Sequence, residues 1–336
     1  MTDSVVQKTS TDGRNKEFTV RPGGPYRVAL LCGGTSSERE VSLASAANVE
    51  SVLASAGHTI IRIDTAEPDF IPTLQDERPD LAFIALHGKG GEDGALQGLL
   101  ELLGIPYTGS GVLGSALAMD KHRAKLVYQA VGARTAPWLY LRPQEDPSAT
   151  SPERIIDELG LPVVVKPIDA GSSVGIAIVR DKDVLPEALE AAFATGSDVL
   201  VEQYLSGVEI TVPVLGSTQT RALPAIEIVP KNEFYDYESK YADQGSVHII
   251  PARISTEALA EASRVALLVH EALGCYGVSR TDMMIGDGGE VWVIETNTIP
   301  GMTGTSLLPD AAKHIGISNE TLYNLFIGWA LERAAS

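Results

Sequence analysis

The chain has 336 residues, 44% of them hydrophobic, enough to bury a large core in two or three domains. Its 26 lysines and arginines face 44 aspartates and glutamates, and the formal charge of -18 repels nucleic acid and anionic membrane surfaces. A small anion remains permitted wherever a few lysines, backbone amides and a bound cation reverse the field inside one cleft.

Residues 1 to 25 are polar and carry Lys8, Arg14 and Lys16 without an apolar core. They read as a disordered tail, neither a signal peptide nor a membrane anchor. No other stretch approaches the roughly 18 consecutive apolar residues of a membrane span. Cys32 and Cys275 lie far apart and outside metal-ligand spacing, which fits a reducing cytosol. The expected location is cytoplasmic.

The apolar run Tyr26 to Cys32 ends in Gly33-Gly34 and is followed by a helical stretch from Ser36 to Ala56. A second run, Leu81 to Leu86, ends at His87-Gly88, and a helix-like segment follows from Ala95 to Leu103. Strands alternating with helices imply a parallel α/β sheet, with functional groups at the carboxyl ends of its strands. Glu38 and His87 both fall there. Taken singly, Glu38 complements a helix dipole and His87 caps a buried strand end. Taken together, an acid and a histidine at neighbouring strand ends are able to hold an amino acid's ammonium and orient its carboxylate.

A new unit begins with a helix from Lys121 to about Val131. Leu161 to Pro167 and Gly175 to Val179 flank a glycine-serine loop and predict an antiparallel hairpin, and Pro143 to Pro152 predicts a surface loop before a helix. From Val199 onward strands outnumber helices, which makes the last third α+β. The expected units are a tail (1–25), an N-terminal α/β domain (26–120), a central domain (121–202) and a C-terminal domain (203–336).

The stretch Arg280 to Asn297 carries the sharpest chemistry. If Gly288-Gly289 makes a two-residue turn, Asp287 faces Glu290, Met284 faces Val293, Asp282 faces Glu295 and Arg280 faces Asn297. Alternation then gathers Arg280, Asp282, Glu295 and Asn297 on one face. Opposed carboxylates about 5 Å apart repel unless a positive charge lies between them. Two carboxylates and an amide oxygen form an all-oxygen set suited to Mg²⁺. Lys166 and the loop Asp169 to Gly175 offer a lysine and several backbone amides to a phosphate, without the spacing of a Walker A loop. Pro230 to Val247, rich in tyrosine and charge and without periodicity, reads as a lid in which Lys240 and Tyr241 are the chemically useful members.

These motifs together resemble the D-alanine:D-alanine ligases of the ATP-grasp superfamily. The resemblance runs from Gly33-Gly34-Thr35-Ser36-Ser37-Glu38 through Leu86-His87-Gly88-Lys89-Gly90-Gly91-Glu92-Asp93-Gly94, Met119-Asp120-Lys121, Lys166-Pro167 and Phe234 to Tyr241, to Glu295-Thr296-Asn297 and Pro300-Gly301-Met302. It implies an ATP-grasp fold with an N-terminal parallel α/β domain. Lys121 and Lys166 would contact ATP phosphates, under a loop of Gly171, Ser172 and Ser173, while Glu202, Gln203, Leu205 and Glu209 would hold adenine and ribose. Asp282, Glu295 and Asn297 would bind two Mg²⁺ ions, with Mn²⁺ able to substitute. Glu38 and His87 would position the first D-alanine, and Ser306 and Leu307, with Lys240, would receive the second. Glu38, Ser172 and Tyr241 would form a hydrogen-bonded triad closing the lid, and Arg280 with the Gly301 amide would stabilise an oxyanion.

The implied reaction joins two D-alanine molecules through an acyl phosphate and supplies peptidoglycan synthesis, in a cytoplasmic homodimer that binds neither nucleic acid nor membrane. A D-alanine:D-lactate ligase shares this scaffold, and Tyr241 argues against it. A non-catalytic ATP-binding regulator is the other rival, opposed by the joint presence of Arg280, Asp282, Glu295 and Asn297. The tail, residues 1 to about 25, lies outside the family pattern.

Overall fold

The structure, a computed structural model, describes residues 24–142, 150–169, 175–230 and 246–336. Strand and helix first alternate: β1 (Arg27–Cys32), α1 (Arg39–Ser55), β2 (Thr59–Asp64), α2 (Phe70–Glu77), β3 (Leu81–Ile84), α3 (Ala95–Leu103) and α4 (Val112–Met119). The three strands form a parallel sheet in the order β2-β1-β3. Central β1 is buried from Val28 to Cys32, so it reads as an unbroken apolar run, as strands covered on both faces do. Each fully buried Leu or Ile of such a run stabilises by about 1.5–3 kcal/mol.

α5 (Lys121–Ala130) leads into β4 (Trp138–Leu141), α6 (Pro152–Leu159), β5 (Val163–Pro167), β6 (Ala177–Val179), α7 (Leu185–Phe193) and β7 (Val199–Gln203). The strands make an antiparallel sheet in the order β4-β7-β5-β6. Val163 pairs with Val179, which is the expected hairpin.

The third sheet contains β8 (Val208–Gly216), β9 (Arg221–Ala222), β10 (Ile226–Pro230), β11 (Ser246–Ile249), β12 (Gly277–Ile285) and β13 (Val291–Asn297). Its order is β11-β10-β8-β12-β13, with β9 paired to β8. The flanks of the expected lid are strand residues: Pro230 pairs with Ser246 and Val229 with Val247, and residues 231–245 lie outside the described residues.

α8 (Thr256–Ala272) lies against this sheet through Ala258, Ala262, Val265, Ala266 and Val269, spaced for one helical face, and Ser255 caps its start. α9 (Leu307–His314) and α10 (Asn319–Ala334) close the chain. α10 returns to the first sheet, where Tyr323 meets Phe83 edge-on at a centroid distance of 5.8 Å. Near its end Arg333 donates to the Tyr107 and Gly109 carbonyls, both at 2.8 Å, while stacked over Tyr107 and Tyr276. Among the described residues no helix is long and apolar enough to cross a membrane.

Candidate active site

The β12–β13 hairpin carries the predicted acidic face. Arg280 pairs with Asn297 and Asp282 with Glu295, as the alternation predicts. Toward the turn the expectation fails: Met283, not Met284, faces Val293, and Gly286 donates to the Glu290 carbonyl, so Asp287 does not face Glu290. The turn holds three residues instead of two, with Gly289 at φ +84°. A bulge at the Asp282/Met283 step leaves Ile294 as the extra residue of β13 and restores the register at the site. β13 is gripped on its other edge at the same level, since Val293 N–H donates to the Arg134 carbonyl and the Val293 carbonyl accepts from the Thr135 hydroxyl.

On the site face Asp282 is nearly buried and both its oxygens take the Arg280 fork, at 2.9 and 2.8 Å. Thr211 of β8 adds a 2.5 Å hydroxyl bond to the same carboxylate. Glu295 lies 3.6 Å from the buried Lys121 ammonium, and the Asn297 amide oxygen accepts from Ile299 N at 2.9 Å. Protein cations therefore offset the two opposed acids. Among the described residues no group of three His, Cys, Asp or Glu side chains is arranged for a metal, because the third oxygen donor here is an amide. Oxygen donors alone suit a hard divalent ion, and the two carboxylates keep further lone pairs for one.

The ends of β1 and β3 supply the next groups. Gly33 and Gly34 adopt φ of +71° and +76°, and Ser42 of α1 accepts from Gly33 N while donating to the Ala85 carbonyl. Glu38 sits buried at the start of α1. A Cβ on Gly88 would stand 2.7 Å from Glu38 Oε2, so the glycine makes room for this carboxylate. His87 is buried, and desolvation holds its pKa down at about 4 against a raising hydrogen bond to the Ile299 backbone, with Arg280 lowering it further. A cavity of about 260 Å³ opens beside it, lined in part by Gly34, Ser36, His87, Lys89 and Leu96.

Glu92 is a buried group that the sequence reading did not assign. Its carboxyl accepts from Gly88 N at 2.7 Å and Ile299 N at 3.3 Å, joining the loop after β3 to the loop after β13. Burial, then the nearby Glu38 charge, push its pKa up to about 8. The signal was an acid within a glycine run at a strand's carboxyl end, four residues after Gly88 and so able to fold back on it.

Of the predicted nucleotide residues, Lys166 and Glu202 pair at 2.5 Å across β5 and β7. Lys125 of α5, also unassigned from sequence, reaches Glu202 at 2.9 Å and donates to Thr135 Oγ1 and the Ala136 carbonyl. Burial would raise the Glu202 pKa, but Lys166 and then Lys125 outweigh it and hold it below its usual value. Gln203 is exposed at the end of β7, and half-buried Leu205 lies on the short crossover to β8. Glu209 pairs with Met284 in register, which puts it on the same face as Asp282. Gly171, Ser172, Ser173, Lys240 and Tyr241 lie outside the described residues.

Gly301 follows β13, and a Cβ there would stand 2.9 Å from Ser306 Oγ. Ser306 precedes α9 and takes Thr303 N at 2.9 Å, and the first amides of α9, Leu307 included, have no side-chain cap.

Residues 127–327 match the family model for the D-ala D-ala ligase C-terminus, and residues 66–110 that for the D-ala D-ala ligase N-terminus. The chain belongs to the D-alanine–D-alanine ligase family. A D-alanine–D-alanine ligase of Halalkalibacterium halodurans is 46% identical over 310 residues, covering 91% of this chain and 100% of that protein. One from Syntrophobacter fumaroxidans is 48% identical, covering 91% and 97%. The crystal structure of D-alanine–D-alanine ligase from Bacillus anthracis complexed with ATP superposes with a TM-score of 0.79 at 35% identity, covering 92% of this chain and 99% of that one. Family likeness extends to a different acceptor, since the VanG D-Ala:D-Ser ligase from Enterococcus faecalis superposes at 0.77 with 34% identity, covering 90% and 98%. The mixed parallel and antiparallel sheets are those of the ATP-grasp ligases.

Proposed function

We propose that the protein uses ATP to join two D-alanine molecules into D-alanyl-D-alanine through an acyl phosphate, feeding peptidoglycan synthesis. The observation that carries the chemistry is the single face holding Arg280, Asp282, Glu295 and Asn297 beside Lys121. Near-complete matching to relatives of that name supports the reaction over the ester-forming and non-catalytic alternatives.

In this reading Lys121 and Lys166 neutralise ATP phosphates, assisted by Gly171, Ser172 and Ser173, while Glu202, Gln203, Leu205 and Glu209 hold adenine and ribose. Glu38 and His87 hold the first D-alanine so that its carboxylate attacks the γ-phosphate, releasing ADP and leaving the acyl phosphate. Ser306 and the Leu307 amide at the start of α9, with Lys240, hold the carboxylate of the second D-alanine. Its amine attacks the acyl carbonyl, the oxyanion is met by Arg280 and Gly301 N–H, and phosphate leaves. Ser172 and Tyr241 close over Glu38 and keep water from the intermediate. Asp282, Glu295 and Asn297 would hold Mg²⁺, two ions with Mn²⁺ as a substitute, which when bound neutralises charge on the transferring phosphoryl group.

We read the three sheets as units of 26–120, 121–202 and 203–336, after a tail, in a cytoplasmic protein. Exposed Leu102, Val112 and Leu113 on the adjoining α3 and α4 support a homodimer.

The test is phosphate release from ATP and Mg²⁺ with D-alanine, L-alanine, D-alanine plus D-lactate, and D-alanine plus D-serine, with products identified by mass. D-alanine-dependent release yielding the dipeptide is expected. An ester or a mixed D-alanyl-D-serine product in preference to it would reassign the acceptor, and no release with any pair would overturn the reading.

A further inference from the structure

α1 presents two buried or half-buried polar groups one turn apart, Ser45 and Asn48, to the loop that follows β13. Asn48 donates to the Met302 carbonyl at 2.7 Å, and Ser45 Oγ accepts from Met302 N at 3.2 Å. The helix therefore grips both polar groups of the residue next to Gly301. Tyr323 adds a third bond, to the Met302 carbonyl at 3.3 Å. Ser45 has a second partner, His87 Nε2 at 3.1 Å, and is itself fully buried.

We propose that Ser45 is a positioning residue that fixes His87 as the neutral tautomer protonated on Nδ1 and ties that ring to the backbone beside Gly301. An amide N–H only donates, so Met302 uses a lone pair of Ser45 Oγ. The hydroxyl then has one proton to give, and Nε2 is its observed neighbour. The second lone pair of Oγ could take an Nε2–H, but the buried hydroxyl proton would then have no acceptor among the described residues, so Nε2 is the acceptor and the ring proton stands on Nδ1. The ring's hydrogen bond to the Ile299 backbone is of the kind that favours a bound proton, as a donation from Nδ1 to a carbonyl does. Burial keeps the ring neutral, so a single proton must be assigned to one nitrogen.

The chain of bonds runs from the peptide adjoining Gly301, through Ser45, to His87, and on to the Ile299 backbone three residues before Met302. His87 is thus held at Nε2 by α1, with the Ile299 backbone beside the ring, and its orientation is set before a substrate arrives. The kinetic consequence rests on the reading that His87 positions the first D-alanine; the tautomer does not.

The test uses the full chain labelled with ¹⁵N at histidine. Long-range ¹H–¹⁵N spectra, assigned with His87→Asn, should show the His87 ring protonated on Nδ1 with a bare Nε2 at pH 7. Ser45→Ala should move both ring resonances toward a tautomer mixture, and Ser45→Thr should restore them. Ser45→Ala should also raise KM for the first D-alanine about fivefold, the cost of one lost buried hydrogen bond, with kcat and the KM for ATP little changed because Asn48 and Tyr323 still hold Met302. An Nε2-protonated ring in the wild type, or a Ser45→Ala spectrum unchanged from it, would overturn the tautomer assignment. A shifted spectrum with unchanged kinetics would overturn the positioning role. If instead His87→Asn leaves the KM for D-alanine unchanged while the spectra behave as expected, the substrate role of His87 fails and the tautomer assignment stands.

Discussion

Replacing Glu92 with Gln should change the pH dependence of stability more than the stability itself. In the unfolded chain this carboxyl loses its proton near pH 4.5, whereas burial and Glu38 keep it protonated in the folded protein up to about pH 8. Between these values unfolding releases a proton, so the contribution is fully present below pH 4.5 and is lost as pH rises through the folded value. A shift from 4.5 to about 8 is 3.5 units, and at about 1.36 kcal/mol per unit the ceiling is about 5 kcal/mol. Glu38 carries part of the repulsion, so about 2–3 kcal/mol is expected from Glu92 alone. Glutamine has nearly the same volume, accepts from one of the two amides and does not ionise. Urea unfolding of both proteins at pH 5 and pH 8.5 measures the difference directly. The stability gap should move toward the glutamine variant by that amount between the two pH values. A gap constant to within about 0.5 kcal/mol would refute the claim that this carboxyl is folded in its neutral form.

Gly33→Ala should destabilise by about 2–4 kcal/mol in urea melts, because φ is +71° and its Cβ would stand 2.3 Å from the Asp64 carboxylate. Lys125→Met should cost about 2–3 kcal/mol by the same assay, since it leaves Glu202 buried with Lys166 as its remaining cation. Arg333→Ala should cost about 2–4 kcal/mol through two carbonyl bonds and two ring contacts, and Arg333→Lys should recover less than half, because an ammonium lacks the planar fork. Sedimentation should show a dimer for the wild type and a monomer for a Leu102→Glu, Leu113→Glu double variant, and unchanged mass for the two would discard that face as the interface.

The parallel sheet was legible because β1 and β3 are covered on both faces, and continuous apolar runs ending in glycine have few other readings. β2 was harder to see: Thr59, Arg62 and Asp64 interrupt its apolar residues, since it is the outer strand and only Ile63 is buried in it. The Asp282–Glu295 opposition was legible from the glycine turn and an assumed regular ladder, yet for a partly mistaken reason. The predicted two-residue turn is one residue too short and the assumed unbroken ladder misses the bulge, and these two errors cancel at the site. Glu92, Ser45 and Lys125 were not legible as functional candidates. Each acts through a partner far along the chain, as when Ser45 meets Met302 at a separation of 257 positions and Glu92 meets Ile299 at 207. Local periodicity reports which face a residue is on, and not what waits opposite it.

The bulge at Ile294 also says how this hairpin can be rebuilt. Re-pairing the turn so that Asp287 faces Glu290 across Gly288-Gly289 would slide β13 by one position, and with the extra residue left in place Glu295 and Asn297 would rotate to the helix-covered side. Removing Ile294 at the same time would return them. The closing pair of the turn and the irregularity in the strand therefore act together: a change of closing pair keeps the site face only with a compensating change at Ile294.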